Sequence, residues 1–157
     1  MKFDSNILSS NANCTPSTDD LEHEIKTVTD IEDYFIKNKS YMLAHSLTDH
    51  LNMLLTQKGV SRADVARDSL LHRTYTYQIF SGKKTASRDK LIAIAFGMHL
   101  SAEETQTMLK LSGNRILYAR DERDAIILFS LQREKSIIET NGLLYDHGLK
   151  LLGNSDD

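Results

Sequence analysis

The chain has 157 residues, 40% of them hydrophobic and 26% charged, and a formal net charge of −3. That length fits one domain with extensions, and the apolar content is enough for a core. No run of about 18 apolar residues occurs, which excludes a membrane-spanning helix, and the single cysteine, Cys14, excludes a disulfide framework within the chain.

Residues 1–17 are rich in Ser, Asn and Thr and hold the only proline, Pro16. They read as a disordered leader without the apolar centre of a signal peptide, so a bacterial cytoplasm is the expected setting. Residues 18–40 read as two short acidic amphipathic helices. Thr18 is the expected cap of the first, with Asp19, Asp20 and Glu22 near its positive end, and Asp30 caps the second. Either they pack on the rest of the chain or they form an arm for a protein partner.

Tyr41 to Lys58 forms a longer helix with an apolar stripe of Leu43, Leu47, Leu51, Leu54 and Leu55. Gly59 ends it, because glycine takes the left-handed cap without strain. Ser61 then caps a short helix, with Asp64 completing a capping box. Val65 and Ala66 face inward, and Leu70 and Leu71 lie buried or partly buried in a tight connection. The following helix, about Arg73 to Ser81, has two sides at 100° per residue. Arg73, Thr74, Tyr77, Gln78 and Ser81 share one, and Tyr75, Thr76, Ile79 and Phe80 share the other. Gly82 stops it, and Lys83 and Lys84 follow in a polar loop.

This stretch is also where positive charge gathers. Residues 1–50 carry four Lys/Arg against nine Asp/Glu, residues 51–90 eight against three, and residues 91–157 seven against ten. Phosphate binding needs a local basic surface rather than a basic protein. A short two-faced helix held by a preceding one is what the DNA major groove accepts.

An internal repeat follows. Residues 88–113 align without gaps on residues 123–148, with identities at Arg88/Arg123, Asp89/Asp124, Ile92/Ile127, Ser101/Ser136, Glu104/Glu139, Thr105/Thr140, Leu109/Leu144 and Gly113/Gly148. Each unit reads as helix, turn, Ser-capped helix and glycine stop, and the two units are expected to stack. The link 114–120 is expected to be extended, with Leu117 and Tyr118 tucked inward, and residues 154–157 to form a disordered tail. The recurrence of Arg88 as Arg123 favours a structural role for it over a phosphate contact shared with Lys90.

Catalytic and metal signatures are absent. The six histidines are scattered, no HExxH or Cys/His zinc spacing occurs, and no glycine-rich phosphate loop or GxSxG appears. No enzyme activity and no cofactor are expected.

Gly59 to Leu100 resembles the Cro/C1-type helix-turn-helix domain of bacterial and phage repressors, the XRE or lambda repressor-like family. Carrying the resemblance are the small Ala66, Gly82 sixteen positions later, the IFSG of residues 79–82 and the downstream SRDKLIAIAFGMHLS. Leu70 stands where the family usually turns on glycine, Ala86 where a proline commonly precedes the next helix, and Phe80 where an acidic residue is usual outside the lambda-like variants. The resemblance implies an all-α fold. In it a lambda repressor-like helix-turn-helix domain over 41–113 is extended over 114–153 by the second copy of the helical pair. It also implies double-stranded DNA as partner, with Arg73, Thr74, Tyr77 and Gln78 facing base edges. Arg62, Ser81, Lys83 and Lys84 would meet phosphates, Arg62 also bracing the recognition helix. The expected function is a sequence-specific transcriptional regulator acting as a homodimer, with its dimer surface around Leu143, Leu144 and Leu151 unless these are core. The alternative is a non-enzymatic all-helical adaptor that keeps the fold but binds protein.

Overall fold

The computed structural model describes residues 15–153, with the backbone alone at positions 44 and 45. The expected leader up to residue 14, Cys14 and the expected tail 154–157 lie outside the described residues. All regular structure among the described residues is helical. The described residues fall into two compact units, residues 15–39 and residues 40–153.

In the first unit, α1 spans Thr18–Thr27 and α2 spans Ile31–Lys37. The cap of α1 is Ser17, one residue before the expected Thr18. Its hydroxyl accepts from the Asp20 N–H at 3.1 Å, while its own N–H donates to the Asp20 carboxylate at 3.0 Å. The reciprocal bond needs an acid three residues into the helix, and only Ser17 is spaced correctly from Asp20. Asp30 caps α2 through the Glu32 N–H. The Asn38 amide donates to Glu24 and to the Tyr34 carbonyl, tying the two helices together. Ile25, Ile31, Phe35 and Ile36 remain exposed.

The second unit holds α3 (Leu43–Lys58), α4 (Arg62–Ser69), α5 (Arg73–Phe80), α6 (Arg88–Gly97), α7 (Ala102–Leu111), α8 (Glu122–Gln132) and α9 (Ile137–Asp146). A 3-10 turn takes Lys39–Tyr41, so α3 begins at Leu43 rather than Tyr41, and Leu43 is exposed. Leu47, Leu51, Leu54 and Leu55 are buried, in one continuous core that runs through Val65, Ile79, Phe80 and all of the inner faces of α6 to α9. Gly59 adopts the left-handed conformation at the end of α3. Ser61 and Asp64 form the expected capping box on α4. Helix α6 lies so close to α4 that a Cβ at Gly97 would sit 2.6 Å from the Val65 carbonyl oxygen.

The residues matched at the 35-residue offset occupy equivalent places, and the equivalence runs past residue 113. The Gln106 side chain brackets Leu117, accepting from its N–H at 2.7 Å and donating to its carbonyl at 2.9 Å. Asn141 brackets Leu152 in the same way, at 2.8 and 2.9 Å. Leu117 is buried, but Tyr118 points to solvent, against expectation, because its backbone N–H is the group drawn inward, donating to Asp124.

The two repeat units pack on one another as expected, sharing one core, but they are not related by simple translation. The Arg88 guanidinium forks onto Asp124 at 3.2 and 2.9 Å, and Arg123 forks onto Asp89 at 2.8 and 3.2 Å. Each arginine also holds two carbonyls of its own unit, those of Arg115 and Ile116 for Arg88 and those of Lys150 and Leu151 for Arg123. A translational stack would pair Arg123 with a third unit. Reciprocal exchange is instead the mark of a two-fold relation, as across an isologous interface. The structural role favoured for Arg88 is thus a clamp on the partner repeat.

The segment after α9 returns to the turn between α4 and α5. Gly153, at φ +70°, lies so close that a side chain there would strike the Cβ of Leu70 at 2.7 Å and the Ser69 carbonyl at 2.8 Å.

Candidate nucleic-acid interface

Helices α4 and α5 are joined by Leu70, Leu71 and His72. Leu70 takes the left-handed conformation, φ 60° and ψ 25°, where the resembling family usually has glycine. A branched residue is costly there, by roughly 1–2 kcal/mol. It is held because its N–H and that of Leu71 close onto the last carbonyls of α4, and because Leu71 is buried and Leu70 is packed on the core.

His72 caps α5. Its Nδ1 accepts from the Thr74 N–H at 3.2 Å, so this nitrogen carries no proton in the capped form. Thr76, Ile79 and Phe80 are buried and fix the inner side of the helix, with the Thr76 hydroxyl donating back to the His72 carbonyl. Arg73, Thr74 and Ser81 are exposed, and Tyr77 and Gln78 are half-buried at the surface. Arg73 leans along the helix, Nε donating to the Tyr77 hydroxyl at 3.0 Å with the guanidinium 5.4 Å from the ring centre. Four of the residues expected to face bases therefore share the outward side of α5.

Tyr75, expected on the buried side, is only half-buried. Its ring edge reaches the loop that follows, where its hydroxyl meets the Thr85 carbonyl at 3.4 Å. Burial raises the phenol's pKa and keeps it a donor. Two ammonium groups lie over the ring, Lys90 at 4.4 Å and Lys84 at 5.8 Å. The aromatic ring thus sets the position of positive charge beside α5.

In the loop carrying Ser81, Lys83 and Lys84, the N–H groups of Ser81 and Gly82 close onto the carbonyls of Tyr77 and Ile79, while the Gln78 carbonyl is a shared acceptor. It receives the Ser81 hydroxyl at 3.1 Å and the N–H groups of Lys83 and Lys84 at 2.9 and 3.2 Å. Gly82 makes the turn at φ +80°, with space for a Cβ only at contact distance from Thr48. All three side chains are exposed.

Arg62, exposed at the start of α4, reaches the Asn52 side-chain oxygen at 3.5 Å. The Asn52 amide in turn donates to the Phe80 carbonyl at 2.9 Å and to the Thr48 carbonyl at 2.9 Å. The brace on α5 is therefore Asn52, with Arg62 acting on it from outside. Asn52 was not singled out by the sequence reading. The available signal was a side-chain amide beside Leu51 on an otherwise leucine-lined helix.

Local electrostatics follow from which charges are already engaged. Within residues 51–90, Asp64 serves the capping box and meets Arg67, Asp68 meets Arg67, and Asp89 belongs to the Arg123 clamp. The Ser61 hydrogen bonds, with Arg67 nearby, hold the Asp64 carboxyl below its usual range. Among the described residues, Arg62, Arg73, Lys83, Lys84 and Lys90 have no ion-pair partner. The acids of this segment are neutralised locally while its outward cations are not. Among the described residues no cluster of three or more His, Cys, Asp or Glu side chains is arranged to hold a metal ion, and no helix is long and apolar enough to cross a membrane.

No family model, curated protein or solved structure matches the chain.

Proposed function

We propose that this protein is a sequence-specific double-stranded DNA-binding transcriptional regulator that lays α5 in the major groove. The observation that carries this reading is the outward side of α5. Arg73, Thr74, Tyr77 and Gln78 project from a helix anchored by Thr76, Ile79 and Phe80, with the unpaired cations of Arg62, Lys83 and Lys84 around it. Arginine forks onto guanine O6/N7 and glutamine onto adenine N6/N7, while the Thr methyl and Tyr ring suit the thymine methyl. Arg62, Ser81, Lys83 and Lys84 suit phosphate oxygens and set register, and Lys90, carried on Tyr75, joins them. The Cro/C1-type resemblance supports the same assignment.

Selection of bound fragments from a random double-stranded library tests it. An enriched sequence is expected, with Arg73→Ala and Gln78→Ala each relaxing one base position at a cost of about 1–3 kcal/mol. The reading fails if binding at physiological salt shows no preference over bulk DNA.

A second reading, an all-helical protein-binding adaptor, is favoured by a different observation. In residues 15–39 seven acids stand against three Lys/Arg, and Ile25, Ile31, Phe35 and Ile36 are exposed. An empty selection, together with a partner retained by the chain and lost on Ile36→Glu, would favour it.

A further inference from the structure

We propose that the outward face of α8 is a homodimer interface, packing antiparallel against α8 of a second copy of this chain. The face is the stripe Glu122, Ile126, Phe129 and Arg133, spaced i, i+4, i+7 and i+11 so that all four lie on one side of the helix. Glu122 and Arg133 are exposed, Phe129 is 40% exposed, and Ile126 is half-buried at its edge.

The duplicated unit supplies an internal comparison. At the 35-residue offset the same stripe on α6 is Ser87, Leu91, Ile94 and Met98, and the last three are completely buried. There the helix packs on α4, as closely as Gly97 against Val65. Nothing among the described residues plays the part of α4 for α8. The stripe on α8 is nonetheless apolar at its centre, and its two ends are charged where those on α6 are not.

The pattern selects a second copy as the occupant. Glu122 and Arg133 lie equally far from the centre of the stripe, as do Ile126 and Phe129. An antiparallel two-fold contact therefore sets Ile126 of each copy against Phe129 of the other, and Glu122 of each against Arg133 of the other. Opposite charges meet at both ends of the same contact. Neither Glu122 nor Arg133 has an ion-pair partner in its own chain among the described residues. In the single chain the Arg133 guanidinium lies 3.8 Å over the Phe129 ring and caps it, so one side-chain movement both uncovers the ring and delivers the cation.

Sedimentation equilibrium of the full chain without DNA tests the proposal independently of the DNA reading. The wild type is expected to dimerise at micromolar concentration. Glu122→Arg and Arg133→Glu, which set like charges opposite one another, should each raise the dissociation constant by about a hundredfold or more. The double variant Glu122→Arg/Arg133→Glu should return it toward wild type, which a merely unfolded chain would not do. Phe129→Glu should abolish the dimer with unchanged far-ultraviolet circular dichroism. A monomeric wild type overturns the proposal. So does a charge swap that restores nothing, or a dimer that survives Phe129→Glu and is lost on Tyr145→Glu, on the exposed side of α9.

Discussion

The two arginine clamps invite a direct comparison, because they repeat the same chemistry at different depths. In the first, Asp124 is 2% exposed at its side chain and Arg88 18%. Replacing Arg88 by alanine leaves that carboxylate buried with the Tyr118 N–H, at 3.0 Å, as its remaining donor from the linking segment, and strips the donors from the Arg115 and Ile116 carbonyls. Removing one partner of a buried pair costs about 3–5 kcal/mol. In the second clamp, Asp89 is 32% exposed, and Lys150 stands 3.7 Å away as a substitute cation. Arg123→Ala should therefore cost about 1–2 kcal/mol, the range of a hydrogen-bonded pair with solvent at hand. Urea denaturation followed by circular dichroism should give midpoints in the order wild type, Arg123→Ala, Arg88→Ala, at similar slopes. Equal losses for the two variants, or a smaller loss for Arg88→Ala, would refute the reasoning from burial.

The remaining expectations can be checked with the same preparation. Gly97→Ala should lower stability by about 1–3 kcal/mol, since its Cβ meets a backbone oxygen that cannot yield, while Gly142→Ala, in a helix interior with open space around it, should raise stability by about 0.5–1 kcal/mol. Thermal melts that move in one direction for both would contradict this. Burial alone would raise the Asp89 carboxyl, but the Arg123 hydrogen bonds and charge, with Lys150 and Arg88, outweigh it and hold the group below its usual range. Its folded value being the lower one, this carboxylate stabilises the fold above the unfolded carboxyl range, about pH 4, and the contribution disappears as pH falls through the folded value. Asp89→Asn should accordingly flatten the acid limb of a stability–pH curve and leave its neutral-to-alkaline shape alone. Lys83→Ala and Lys84→Ala should weaken binding to all DNA sequences alike and reduce the salt slope by about one unit each. A changed sequence preference in either variant would reassign that lysine.

Helix ends were the most legible part of this chain, because capping is local chemistry. Ser61 with Asp64, the Ser101 cap, Asp30 and Gly59 each act within four residues, and Ser17 displaced the expected Thr18 only because Asp20 sets the spacing. Faces were legible as sets of residues but not as covered or open. Leu43, Tyr75 and Tyr118 belong to apolar patterns, yet what lies over them is decided by chain far away. The repeat established that two segments are equivalent, which says nothing of the operation relating them. That operation resides in the Arg88–Asp124 and Arg123–Asp89 contacts, 36 and 34 residues apart in sequence. At the candidate interface, helical periodicity found Arg73, Thr74, Tyr77 and Gln78. It could not find Asn52, whose part depends on a carbonyl 28 residues later.

The contact of Gly153 with Ser69 and Leu70 has a consequence for how the protein comes into being. Residue 70 is made early, and the residue that closes over it more than eighty positions later. A nascent chain on the ribosome has α4, α5 and the whole outward side of α5 well before the turn between them is covered. The strained Leu70 must wait for that late segment, so the turn should be among the last regions to gain protection from hydrogen exchange, and long-range closure of this kind slows folding. Maturation of the surface proposed to read DNA is in this way tied to completion of the second helical pair.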